Sequence, residues 1–207
     1  MMTLRVALLA VVWACSAPAP AQNLVWNNPA GGCWCTPGNW SPVALPNSIT
    51  NVAVSLPGEY TVGFNIGTAA CAQLSLTNPD ATVGLRSGET LQLFGTTHQI
   101  DGVLRVGDAT FANPASIDAF VPSFLRFEGT GRIVLNAHPQ IVLPFAVIRA
   151  SGRPVTMTAG LRLEGRGAVQ ADLTMQGTLA PGVGPGAIGE LQIDRLILGA
   201  SSVLEFD

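Results

Sequence analysis

A short motif, two apolar residues flanking one that is usually polar, recurs along the chain and constrains its fold more than any other feature. It stands at Leu74-Ser75-Leu76, Leu91-Gln92-Leu93, Leu104-Arg105-Val106, Leu125-Arg126-Phe127 and Leu161-Arg162-Leu163. Leu173-Thr174-Met175, Leu191-Gln192-Ile193 and Leu204-Glu205-Phe206 continue the series. A period of two puts the outer residues on one face of an extended strand and the middle one on the other. Ile133-Val134-Leu135, Ile141-Val142-Leu143 and Leu196-Ile197-Leu198 share the form with an apolar centre, so both faces are expected to be covered there. Glycine follows many triplets closely, as at Gly95, Gly107, Gly129, Gly165, Gly177 and Gly199, where the chain must turn.

Composition removes the competing classes. Charged residues are 11% of the 207, and all 10 basic residues are arginine, so the Lys and Glu that wet the outer faces of amphipathic helices are scarce. Hydrophobic residues reach 48%, too many for a disordered polymer. The net charge is −3, which supplies no basic surface for nucleic acid. Short strands separated by irregular turns fit two all-β architectures, a sandwich and a parallel β-solenoid. A sandwich calls for hairpin turns of the Asn-Gly or Asp-Gly type, and Asp101-Gly102 alone is of that type. The solenoid, with inward aliphatics stacked rung on rung, is the expected fold and the β-sandwich the alternative.

Residues 1–21 have the form of a secretory signal: Arg5, an apolar core over residues 6–13, and Ala19-Pro20-Ala21 before Gln22. That core is shorter than the ~20 residues of a membrane span, and no transmembrane segment is expected in the mature chain. A competing reading makes Cys15 a lipidation site, although Trp13 stands where such a box prefers a small residue. Export predicts oxidising surroundings and one disulfide among Cys33, Cys35 and Cys71. Cys71 with Cys33 or Cys35 is the expected pairing, because side chains two apart on an extended strand lie too far apart to bridge comfortably. No metal is expected, since His98 and His138 are isolated and Cys33-x-Cys35 lacks the spacing of a zinc knuckle.

Residues 22–50 form a distinct segment holding Trp26, Trp34 and Trp40, two cysteines and no charge, expected to cap the solenoid formed by 51–207. Trp26-Asn27-Asn28-Pro29-Ala30-Gly31-Gly32, followed by Trp34, Asn39-Trp40-Ser41 and Pro46, resembles the opening module of large exported bacterial β-helix proteins. Gly177-Thr178-Leu179-Ala180-Pro181-Gly182-Val183-Gly184-Pro185-Gly186 resembles an element of autotransporter passengers and related surface proteins, with Gly184 where that element usually has Ser. The resemblance implies a right-handed parallel β-helix in an exported surface protein. It also implies further rungs or an anchor beyond residue 207, and it brings no catalytic residues.

Candidate chemistry is sparse. Gly184-Pro185-Gly186-Ala187-Ile188-Gly189 spells a dinucleotide fingerprint, but its prolines make a turn where a helix should open. No cofactor is expected. Asp101 and Asp108 around Arg105 are the best acid group for a polysaccharide-active enzyme, and their ordinary reading is turn-capping. Glu164 with Asp172, and Glu190 with Asp194, are no stronger. The two histidines lack a nucleophile partner, no G-x-S-x-G occurs, and each is expected in a turn or on the surface. Trp26, Trp34, Trp40 and Tyr60 could stack on sugar rings, or could close the open end of the stack. The expected function is a non-enzymatic structural or adhesive segment of a secreted or cell-surface protein. Its partners would be polysaccharide or host and cell-surface components. A polysaccharide-active enzyme and a carbohydrate-binding module are the alternatives.

Overall fold

The computed structural model describes residues 22–86, 88–107, 115–136, 146–182 and 189–206. The leader 1–21 with Cys15, the triplet 141–143, Asp108, His138 and residues 183–188 of the glycine motif lie outside the described residues. The described chain is all-β, with no α-helix and a single 3-10 turn at Pro37–Asn39.

The strands stack in three columns. The first holds β1 (Gln22–Trp26), β4 (Thr50–Val54), β7 (Gln73–Leu76), β10 (Thr97–Ile100), β13 (Leu125–Glu128) and β16 (Val155–Met157), joined in parallel in that order. The second holds β2 (Gly32–Cys33), β5 (Tyr60–Gly63), β8 (Ala81–Leu85), β11 (Val103–Val106) and β14 (Arg132–Asn136). The third begins with β6 (Thr68–Cys71) and continues through β9 (Thr90–Leu93), β12 (Ala115–Ala119) and β15 (Ala146–Arg149). Below these, β17 (Arg162–Met175) pairs with β14, β15 and β16 in turn, so one continuous strand crosses all three columns. Then β18 (Thr178–Pro181), β19 (Leu191–Leu198) and β20 (Val203–Leu204) complete the lower end.

The parallel pairing sets aside the β-sandwich, whose hairpins would give antiparallel neighbours. Among the described residues the one antiparallel strand pair joins β1 to β3 (Trp40–Ser41) at the upper end. The pairing also explains why the triplets are unevenly spaced. Phe127 lies over Met157 in one step and Met157 over Met175 in the next, so the connections, not the strands, absorb the difference in chain length.

Period-two facing holds through the body of the stack. Leu104 and Val106 are buried with Arg105 exposed, as are Leu125 and Phe127 with Arg126 exposed. Leu161 and Leu163 are buried beside a half-buried Arg162. Ile133, Val134 and Leu135 are all buried, as an apolar centre implies. Leu196, Ile197 and Leu198 are not: all three are exposed, because no strand lies beneath β19 among the described residues.

Gly165 shows how β17 turns a corner without leaving the sheet. Its φ is +108°, and a Cβ there would sit 1.9 Å from the Leu135 carbonyl oxygen. Only a residue without a side chain fits that bend against the strand above.

Candidate functional site

The upper end of the stack gathers most of the residues singled out in the sequence. Trp40 lies edge-on between Trp26 and Trp34, with ring centroids 4.9 Å apart on both sides. Trp34 stacks on Phe64 at 4.8 Å. The Trp26 indole donates to the Asn28 carbonyl at 2.7 Å, and Trp40 donates to the Trp34 carbonyl at 2.8 Å. Asn28 and Asn39 fasten the surrounding turn: Asn28 Nδ2 donates to the Gly31 carbonyl at 2.6 Å, and Asn39 Nδ2 to the Cys33 carbonyl at 2.9 Å.

This packing corrects the sugar-stacking assignment. The three tryptophans are 0–1% exposed and Tyr60 is 5% exposed, whereas a saccharide stacks only on a ring face that solvent can reach. Residue type announced large flat rings but not their burial. Burial also raises the Tyr60 phenol above its ordinary value, against the opposing pull of nearby Asn78 and Leu56.

The cysteines are a second correction. Cys33 and Cys35 form the disulfide, with Cα atoms 5.0 Å apart, and Cys71 is free and buried. The expected pairing assumed that both cysteines lie on one extended strand. In fact β2 ends at Cys33, and the chain turns at Trp34, which draws Cys35 back. Facing does the rest. Cys33 registers with Gly63, next to inward-facing Val62, and so points outward, while Cys71 points into the core above Leu93. Burial pushes the Cys71 thiol up to about 12.

His98 is a third. It is fully buried, not in a turn or on the surface. The Leu74 backbone N–H donates to its Nδ1 at 3.1 Å, so Nε2 carries the proton and donates to the Gly95 carbonyl at 2.9 Å. Both ring nitrogens are used, and the ring packs against Phe127. Burial lowers its pKa to about 4, partly opposed by the Gly95 carbonyl.

The acids have structural partners. Asp101 Oδ1 accepts from the Thr130 backbone N–H at 3.0 Å, and Oδ2 accepts from Gln99 at 2.8 Å: it caps a turn. Glu164, nearly buried, accepts from Arg162 at 2.5 Å and lies 3.2 Å from Arg132 Nη1. Arg162 also donates to Glu205 at 2.5 Å, and these two carboxylates raise its pKa. Asp172 pairs with Arg195, and Glu190 accepts from Gln192 at 3.1 Å. Among the described residues no three His, Cys, Asp or Glu side chains come together as a metal site, and no helix is long and apolar enough to cross a membrane.

A groove of about 400 Å³ lies at the top of the third column. Its lining draws on Trp34, on residues 45–48, and on β6 and β9 with Phe94. Every one of these side chains is uncharged. Phe94 stacks on Phe120 at 5.3 Å, and Phe120 is 50% exposed. Sequence reasoning missed both phenylalanines and β6 itself. Phe94 and Phe120 stand just after strands rather than within triplets, and Thr68-Ala69-Ala70-Cys71 has no large apolar residue to mark it. Compared with known proteins, the chain matches no family model, no curated protein and no solved structure.

Proposed function

We propose that the chain is a right-handed parallel β-helix acting as a stiff stalk, spacer or adhesive scaffold in an exported bacterial surface or secreted protein. The observation that carries this reading is the register. Strand lies over strand along each column with the same face inward, so a single core runs the length of the stack. Parallel crossovers are right-handed in nearly all known cases, which is the basis for the hand. Small neutral side chains line up on the outside, as where Asn51 donates to Asn23 at 3.1 Å and Thr90 meets Ser116 at 3.1 Å. Such ladders cover a stacked sheet without setting like charges over one another. In this reading the chain performs no catalysis. Polysaccharide or cell-surface partners meet exposed rings such as Phe120 and Phe124, not the tryptophans.

Export is tested by producing the chain with its own N-terminus in a bacterial host and sequencing the protein recovered outside the cytoplasm. The expected N-terminus is Gln22. Lipid attached to Cys15 would replace cleavage at Ala21 with lipoprotein processing. Retention in the cytoplasm with residues 1–21 attached would overturn the reading.

A further inference from the structure

The third column starts one level lower than the other two. In the first column β1 lies over β4, and in the second β2 lies over β5, but β6 pairs downward with β9 and has no strand above it among the described residues. The direction of its free groups follows from the bonds it makes. The Thr90 N–H donates up to the Gly67 carbonyl at 2.9 Å, and the Phe94 N–H up to the Cys71 carbonyl at 3.0 Å. Backbone groups alternate sides along a strand, so the N–H and C=O of Thr68 and Ala70 face the opposite, upper edge. That edge borders the uncharged groove, whose lining also draws on Trp34 and residues 45–48.

A second observation concerns the same place. The Trp34 indole N–H is buried and has no acceptor among the described residues, although the other two tryptophans of the cluster each have a carbonyl acceptor. A buried donor left unpaired is costly. The groove thus combines a strand edge able to form a ladder, a missing acceptor and walls without charge.

We propose that the upper edge of β6 is a strand-addition site that takes an extended, uncharged polypeptide segment, hydrogen-bonded to Thr68 and Ala70. Polypeptide fits better than sugar because the two edge residues present alternating donors and acceptors at the spacing of another backbone. The lack of charge in the walls selects against Asp, Glu, Lys or Arg in the segment.

The test uses the whole chain and a panel of five-residue peptides rich in Thr, Val and Ser, with acetylated and amidated ends. Maltoheptaose serves as the neutral glycan comparator. Binding is read by amide chemical shift and hydrogen exchange at residues 68–71. At least one peptide is expected to slow exchange at Thr68 and Ala70 and leave Ala69 and Cys71, already bonded to β9, unchanged. Ala70→Pro deletes an N–H on the open edge and none on the β9 side. It should weaken binding at least tenfold with the melting temperature retained. Thr68→Lys, which places a charge at the same edge, should do likewise and provides the reading if Ala70→Pro melts early. The proposal is overturned if no peptide perturbs these amides, if both variants bind as wild type, or if maltoheptaose perturbs them and the peptides do not.

Discussion

The two ends of the stack are held by different chemistry. At the upper end, closure is neutral: interlocked indoles and asparagine side chains bonded to backbone. Among the described residues the ion pairs all lie from Asp118 onward, in Arg149–Asp118, Arg126–Glu128, the Arg132–Glu164–Arg162–Glu205 group and Arg195–Asp172. The upper end buries its three tryptophans completely, although Val43 and Ile49 on its surface loop stay exposed. The lower end leaves Leu204 40% and Phe206 72% exposed. The same alternating pattern is present at both, so alternation reports which way a side chain faces, and a neighbouring strand decides whether that side is dry.

Four measurements would break or sharpen this contrast. The largest effect is expected in the middle of the stack. Leu163 is fully buried, and Leu163→Asp places a carboxylate there without a partner, at more than ~4 kcal/mol. Thermal melts should show this variant unfolded or nearly so, and a near-native melt would mean that the facing is misassigned.

Trp40→Ala comes next. Trp40 touches both other indoles, and emptying that space should cost ~3–5 kcal/mol in denaturant titration. A loss under ~1 kcal/mol would show that the aromatic cluster decorates the upper end without holding it.

Acid probes a neutral contact between β7 and β10 in the middle of the stack. His98 titrates at about 4 in the folded chain against 6.5 ordinarily. Between those values the unfolded chain binds more protons, so stability rises with pH. It is complete above about pH 6.5 and is lost as pH falls toward 4, by about 3 kcal/mol at most. The difference in midpoint between wild type and His98→Gln across that range isolates the contribution from that of the carboxylates. Equal pH profiles would remove His98 from the account.

The smallest effect belongs to the lower end. Leu204→Asp changes a residue of the same pattern as Leu163 but with solvent at hand, and should cost under ~1 kcal/mol by the same melts. Equality with Leu163→Asp would abolish the distinction between the ends.

Sequence alone made the all-β class and the facing of the inner triplets legible, because both depend only on nearest neighbours along a strand. Three things were not legible, two because they depend on distant segments and one, the disulfide, because it depends on a local bend. The columns pair residues such as Arg132 and Arg162 across intervening strands, with no fixed period to reveal it. The disulfide turned on a bend between Cys33 and Cys35. Arg162 seemed a plain outer residue in its triplet, yet it balances a nearly buried Glu164 whose covering comes from elsewhere. The β6 edge was hardest to see, since what distinguishes it is the strand that does not lie above it.

The route of the chain around the stack has a further consequence. The links from β11 to β12, from β14 to β15 and from β18 to β19 all leave the second column and enter the third. At three levels, then, a second-column strand ends and a third-column strand begins at the same corner of the stack. Lengthening a flexible link costs only about 0.6 kcal/mol for each doubling, and the strands on either side keep their partners whatever the link contains. One corner can therefore accept foreign segments of very different size at successive levels while the registers on the other faces stay as they are. A row of grafted peptides placed there would be displayed in order, one above another, at intervals set by the spacing between strands.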